Sequence, residues 1–221
     1  LPETRQLTPP SAERPAGTSV FSELRRIAGR PVISQMLVMA TIVLVFMSVR
    51  ESIFPLWAHH QHNLSARTLG AMLGWTGGLI ALVQFFGIGW LAQRFGELNL
   101  VKGAIVCLMT GWFGMTLAQG VPSLLLAMTI GSFGTAFFQT SMQSLLSKRA
   151  GVAERGAVLG VYQSSGAMAR FVGQAGAGTL YGQLGTNAPF LLGSLAMLPA
   201  FAFATRIGRR LRRPADGSRG D

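Results

Sequence analysis

Several features that define other protein classes are scarce in this sequence of 221 residues. Its one cysteine, Cys107, excludes an intrachain disulfide and a cysteine zinc site. Charged residues make up only 12% of the chain and hydrophobic residues 49%, which is atypical of a soluble domain. The first residues are polar and proline-rich, begin with Leu1 and lack the apolar segment of a signal peptide. We therefore expect a fragment of a multi-pass membrane protein.

Acidic residues are also scarce, with eight against nineteen lysines and arginines. Glu51 is the only acid inside an apolar segment, so no segment presents an acid–base pair, a nucleophile triad or a metal-ligand set. His59, His60 and His62 are close together but lack the carboxylate or helical spacing of a recognised metal site. We predict that the protein is not an enzyme and binds no metal and no cofactor.

The apolar residues that are present fall into six segments, each long enough to cross a bilayer as a helix. Short polar loops with Gly, Pro or Asn separate most of them. The fold class predicted is all-α: a polytopic membrane protein with a six-helix transmembrane bundle. The predicted spans cover residues 33–57, 66–92, 99–119, 122–146, 156–182 and 187–207.

Positive charges lie on one side of these spans. Sixteen of the nineteen lysines and arginines fall in the leader, the second and fourth loops and the tail, whereas the opposite side holds only Arg67. Positive charge in short loops marks the cytoplasmic side, so we predict cytoplasmic termini and a plasma or inner membrane. The basic tail flanks the last helix and needs no nucleic acid partner to explain it.

The chain therefore divides into three parts. Residues 1–30 are predicted to be a cytoplasmic linker in which SVFSELRRIAGR forms a short interfacial helix, with a solvated linker as the alternative. Residues 31–207 form the six-helix transmembrane domain. Residues 208–221 form a basic cytoplasmic tail.

The fifth span carries one charge, Arg170, near its midpoint. At 100° per residue, Gln163, Arg170, Gln174 and Tyr181 fall within about 20° of one line on the helix. Exposure of Arg170 to lipid would be costly, so we expect it to face a water-filled cavity and to contact substrate. The alternative is an arginine that ties two helices together through carbonyls or a carboxylate.

Other spans differ in their polar content. The first, second and fourth contain polar groups, whereas the third and sixth hold only a few hydroxyls, so spans one, two, four and five are predicted to enclose a hydrophilic space. Adjacent helical residues point about 100° apart, so Arg50 and Glu51 are predicted not to pair. Glu51 is a candidate proton site or partner of Arg170, with an interfacial role as the alternative. The polar candidates in the other spans are Gln84, Gln139, Gln143, Arg50 and Glu51.

Glycine accounts for 28 residues and recurs at helical spacing. Gly70, Gly74 and Gly78 form a repeated small-xxx-small pattern, which predicts close packing of the second span against a partner helix. In the fifth span, Gly166, Ala169, Gly173 and Ala177 form a second small-residue face. General packing within a membrane bundle is the alternative.

The run GWLAQRFGE, from Gly89 to Glu97, resembles the G-x-L-a-D-r-x-G-r-[RK] loop of the major facilitator superfamily. Gly89, Arg94 and Gly96 match this gating-loop signature, whereas Gln93 replaces its acid. ARFVGQAGAGTLYG in the fifth span is similar to helix eleven of drug–proton antiporters of the tetracycline-resistance type, with Gln174 in place of a proline. LPETR at the start is similar to the exit of helix six in that family.

This resemblance implies helices seven to twelve of a twelve-helix transporter. The expected function is secondary active transport of a small organic molecule by alternating access, as an exporter. Its expected partners are the substrate, the lipid bilayer, and the N-terminal half or a second copy. The alternatives are a non-transporting scaffold that binds a partner through its glycine faces, and an inactive truncated remnant.

Overall fold

The computed structural model describes residues 29–152 and 154–212. In these ranges the chain forms α-helices and one π-helical turn, with no strand, so the predicted all-α fold class is confirmed. The predicted interfacial helix and most of the basic tail lie outside the described residues. The elements are α1 Pro31–His62, α2 Ala66–Leu82, the π-helical turn Val83–Gly87, α3 Ile88–Phe95, α4 Glu97–Leu117, α5 Val121–Arg149, α6 Arg155–Leu184 and α7 Ala188–Arg212.

All six predicted spans are helical, but they do not all reach the hydropathy of a membrane span. Five stretches do so: Pro31–His62, Ala66–Phe86, Glu97–Leu117, Val121–Arg149 and Ala188–Arg210. The fifth predicted span lies in α6, where glycines and polar residues lower the hydropathy. Its 30 residues are nevertheless enough to cross a bilayer.

Local sequence explains where several helices begin and end. Asn63 ends α1 in the left-handed conformation, and the Ser65 side chain caps α2 by accepting a hydrogen bond from the Thr68 amide. Pro31 begins α1, and Pro122 stands in the first turn of α5, positions where a missing amide hydrogen costs no helical bond.

The helices form two closely packed pairs joined by α7. α4 packs along α5, α1 packs along α6, and α7 contacts both α4 and α1. α2 packs mainly on α5 and is largely exposed, with only Met72 and Thr76 buried. We call the end of the bundle where α1 begins and α7 ends the terminal end, and the opposite end the distal end.

Candidate functional site

A polar cavity of about 300 Å³ opens between four elements of the bundle. α1, the π-helical turn, α5 and α6 supply its lining, and α4 and α7 supply none of it in the described part of the chain. These are the elements of spans one, two, four and five, the set that the polar residues of the sequence indicate. The lining residues are Leu44, Gln84, Gln139, Thr140, Gln143, Tyr162, Gln163, Gly166 and Arg170.

The π-helical turn Val83–Gly87 brings Gln84 to this cavity. A π turn holds one more residue than an α turn and shifts the residues that follow it around the helix, and such turns are frequent at functional sites. The sequence predicts a single uninterrupted span from 66 to 92. The structure instead shows that span as α2, the π turn and part of α3.

Arg170 is exposed to the cavity and makes no ion pair or hydrogen bond with any residue that the structure describes. The alternative of an arginine that ties two helices together therefore has no contact to support it in the described chain. The four cavity glutamines, Gln84, Gln139, Gln143 and Gln163, also lack hydrogen bonds to described residues. Their amides can therefore donate to and accept from a ligand.

Two residues of the predicted polar stripe do not line the cavity. Gln174 and Tyr181 lie beyond Arg170 toward the distal end of α6, and the Tyr181 hydroxyl is 3.0 Å from His60 Nδ1. The sequence did not predict Leu44, Thr140 or Tyr162 as cavity residues, and it predicted Gly166 only for helix packing. The signal for Tyr162 was its i, i+4, i+8 spacing with Gly166 and Arg170, which places the three along one side of α6.

The small residues of α6 face α1. A Cβ on Gly173 would lie 2.6 Å from the Val45 carbonyl oxygen and 2.8 Å from Ser48 Cβ, so only glycine fits there. Leu44 packs over Gly166, where a Cβ would lie 3.4 Å from its side chain. By contrast, three glycines of α2 are exposed: Gly70, Gly74 and Gly78. A Cβ added at any of them would have no described residue within 4 Å. That face of α2 has no neighbour in the described chain.

Arg50 and Glu51 form an ion pair, which corrects the prediction that they do not. Arg50 Nη2 lies 3.7 Å from Glu51 Oε1. The 100° between adjacent residues separates their Cβ atoms, but the long arginine side chain can bend back to the neighbouring carboxylate. No contact between Glu51 and Arg170 exists in the described structure.

The predicted gating loop lies at the terminal end, where Gly96 alone joins α3 to α4. Its φ of 77° explains the glycine, since other residues rarely adopt this conformation. Gln93 stands at the acid position of the signature, and Glu97 places a carboxylate four residues later. Glu97 accepts a hydrogen bond from the Ser144 hydroxyl and pairs with Lys148 Nζ at 2.8 Å. Gly89 and Arg94 lie on exposed parts of α3.

A bundle of membrane-length helices around a polar cavity is the architecture of a membrane carrier. The chain belongs to the Major Facilitator Superfamily, whose sequence profile matches residues 1–173 and 36–220.

Among curated proteins, the human "Major facilitator superfamily domain-containing protein 10" is 27% identical over 197 residues, covering 87% of this chain and 39% of that protein. The mouse protein of the same name is 25% identical over 165 residues, covering 73% and 34%. The crystal structure of the human organic anion transporter MFSD10 (TETRAN) is similar to this chain with a TM-score of 0.76. The matched region covers 84% of this chain and 46% of the chain in that crystal structure. At 22% identity that likeness shows the fold alone. The chain thus spans less than half the length of these relatives.

Proposed function

We propose that this chain is the C-terminal half of a secondary transporter that moves a small organic molecule by alternating access. The observation that carries the proposal is the unpartnered Arg170 in a cavity with four free glutamine amides. A charged group inside a membrane bundle commonly marks a substrate or ion pathway. The cavity volume of about 300 Å³ is at the lower end for small-molecule sites, as expected if a second half completes it.

The chemistry of the cavity favours a substrate with an anionic group. Arg170 supplies a permanent positive charge with a planar set of donors suited to a carboxylate or sulfonate. No carboxylate lines the described cavity to compete for it. The human relative described as an organic anion transporter supports this substrate class.

The proposed partner is the N-terminal half of the same carrier. The exposed glycine face of α2 supports it, because Gly70, Gly74 and Gly78 leave room for a helix to approach closely. The shorter length of this chain relative to its relatives also supports it. If the partner were instead a second copy of this chain, the same sequence would have to form both halves of the carrier.

The outward direction of transport rests on the resemblance of α6 to helix eleven of drug–proton antiporters of the tetracycline-resistance type.

The charge distribution supports placing the terminal end in the cytoplasm, in a plasma or inner membrane. Arg94, Lys102, Lys148, Arg155 and Arg206 all belong to loops or helix ends on that side. The distal end, which holds His60 and Tyr181, then faces the outside.

The test replaces Arg170 in the full-length carrier, reconstituted in liposomes with the fluorescent organic anion fluorescein as probe. Arg170→Ala is expected to lower the rate of fluorescein counterflow at least tenfold, because the anion loses the one positive charge that the described residues place in the cavity. Arg170→Lys should retain part of the activity, since lysine keeps the charge but not the planar donors. Arg67→Ala, on the exposed start of α2, is the matched control and should transport as the unaltered carrier does.

Equal counterflow by Arg170→Ala and the unaltered carrier, at equal protein content in the liposomes, would contradict the assignment of the cavity as the substrate site.

The scaffold alternative has one supporting observation, the open glycine face of α2. It predicts that Gly74→Leu abolishes partner binding and that Arg170→Ala changes nothing.

A further inference from the structure

The helix α7 has one apolar face that is exposed in the described structure. Leu191, Leu195 and Ala202 lie on it, and the Leu195 side chain is 58% exposed. At 100° per residue, these three residues fall within about 40° of one another around the helix. α7 has the length and hydropathy of a membrane span. We therefore expect this face to contact the acyl chains of the bilayer.

The same face ends in arginines. Arg206 and Arg209 lie within about 40° of Leu195 and Ala202 around the helix, and Arg210 lies beside Arg206. The structure shows all three arginines as exposed. Arg206 follows Leu195 by eleven residues, which is about 16 Å along the axis and roughly half the thickness of the hydrocarbon core. The face therefore changes from apolar to cationic near the depth of lipid headgroups.

These three arginines have no acidic partner in the part of the chain that the structure describes. None of them makes an ion pair or a side-chain hydrogen bond with a described residue. The described acids at the terminal end are Glu97 and Glu154, which pair with Lys148 and with Arg30. Three guanidinium groups are thus available to an anion from outside the bundle.

Membrane orientation does not by itself explain why these arginines share a lipid-facing side. The preference for positive charge in cytoplasmic loops concerns the side of the membrane and not the face of a helix. Lys102 lies at the same end but packs on the buried side of α7, where a Cβ on Gly208 would lie 3.1 Å from Lys102 Nζ. Gly208 is about 160° around the helix from Arg206. The arginine side of α7 is therefore directed away from the bundle.

An anionic phospholipid has the chemistry that matches this face. Its acyl chains can lie along the leucines while its phosphate accepts hydrogen bonds from the arginines, whose planar donor sets suit a phosphate group. Clusters of basic residues next to a membrane-spanning helix attract anionic lipids. In the described chain α7 lines no part of the polar cavity. A second half that completes the cavity would thus approach the bundle from another side.

We propose that Arg206, Arg209 and Arg210 bind the headgroup phosphate of an anionic phospholipid whose acyl chains lie along Leu195 and Ala202. We call these five residues the α7 lipid site. The inference goes beyond the proposed transport function, because lipid binding requires no transport. The bound lipid holds the arginine end of α7 at the depth of the headgroups.

The experiment measures which lipid lies next to α7 in the full-length carrier. A bimane fluorophore is attached to Ala202→Cys, with the other cysteines replaced by alanine, and the protein is placed in liposomes of phosphatidylcholine and phosphatidylglycerol. A nitroxide on the acyl chain of one of the two lipids quenches the bimane when that lipid is adjacent. We expect phosphatidylglycerol to be preferred about tenfold over phosphatidylcholine at this position, because only phosphatidylglycerol carries a net negative charge.

Three double variants test the assignment to α7. Arg206→Gln/Arg209→Gln should lower the preference for phosphatidylglycerol about fivefold, since two of the three cations are lost. Arg206→Lys/Arg209→Lys should stay within about twofold of the unaltered preference, because the charges remain. The matched control is Arg149→Gln/Arg155→Gln, which removes two exposed charges from the same end of the bundle but from α5 and α6. It should leave the preference unchanged.

Three results would overturn the α7 lipid site. Equal quenching by the two lipids in the unaltered carrier shows that no anionic lipid is selected. Equal losses in the α7 variant and in the control show a diffuse attraction to the whole basic surface. Displacement of phosphatidylglycerol by soluble glycerol phosphate shows a site for a free phosphate. A carrier that prefers phosphatidylglycerol here but fails in fluorescein counterflow keeps the lipid site and contradicts the proposed function.

Discussion

Glu97 places a negative charge close to Gln93, the residue that replaces the acid of the gating-loop signature. The gating-loop signature has an acid where this chain has Gln93, yet Glu97 lies four residues later in the first turn of α4. There it is favoured by the positive end of the helix dipole. It contacts both Ser144 and Lys148 on α5, so it ties the α3–α4 corner to α5 at the terminal end.

We predict that the two contacts of Glu97 differ in strength. Lys148 is 68% exposed, so solvent screens the ion pair and Glu97→Gln should cost less than about 1 kcal/mol of unfolding free energy. Glu97→Ala also removes the acceptor of the Ser144 hydroxyl and should cost about 2 kcal/mol. Unfolding in detergent with a denaturant series measures both.

Ser144→Ala provides the control for this interpretation. In the Glu97→Ala background it should have little additional effect, because the bond is already lost. Independent, additive losses for the two substitutions would contradict a direct hydrogen bond.

Among the elements, α4 and α5 approach each other closely at positions where they carry glycine. A Cβ on Gly111 would lie 2.6 Å from the Gly131 amide nitrogen, and one on Gly134 would lie 2.8 Å from the Leu108 nitrogen. These are backbone atoms, which cannot move aside as a flexible side chain can. Helix pairs in membranes use small residues in this way to bring backbones together.

We predict that Gly111→Ala destabilises the bundle by about 1–3 kcal/mol, because the added methyl group forces α4 and α5 apart. The matched control is Gly103→Ala on the same helix, where nothing lies within 4 Å of the added group. It should leave stability unchanged or raise it by up to about 1 kcal/mol, since alanine favours the helix. A loss of equal size in both variants, in the same denaturant series, would contradict the packing argument.

At the scale of the whole molecule, the orientation in the membrane rests on charge. Among the loops and helix ends that the structure describes, Arg67 lies at the distal end and the other lysines and arginines lie at the terminal end. Lysines and arginines in short loops are expected on the side of synthesis, so we predict that the terminal end lies in the cytoplasm.

We predict that a reporter fused after Asn63 lies outside the cell and one fused after Arg149 lies in the cytoplasm. Accessibility to a membrane-impermeant thiol reagent at single cysteines introduced at these sites provides the measurement, with Cys107 first replaced by alanine. Labelling of both sites from the same side, or of Arg149→Cys alone from outside, would contradict the predicted topology.

Some properties of this protein follow from the sequence by itself. The approximate positions of the six helical spans depend on runs of apolar residues, which need no partner to be recognised, and the structure confirms the all-α class. The small face with Gly166 and Gly173 is likewise a property of one helix and its 3.6-residue period. The superfamily was recognisable from Gly89 to Glu97 and from the α6 run because those motifs are short and local.

Other properties were decided only by the tertiary structure. The π turn at Val83–Gly87, the pairing of Arg50 with Glu51 and the contact of Glu97 with Lys148 follow from how side chains bend and which helices meet. The angle on α6 grouped Tyr181 with Arg170, yet Tyr181 contacts His60 whereas Gln84 and Gln139 share the cavity of Arg170. Periodicity orders residues around one helix, but a cavity depends on the positions of several helices distant in sequence. Those positions are set by the packing of the bundle.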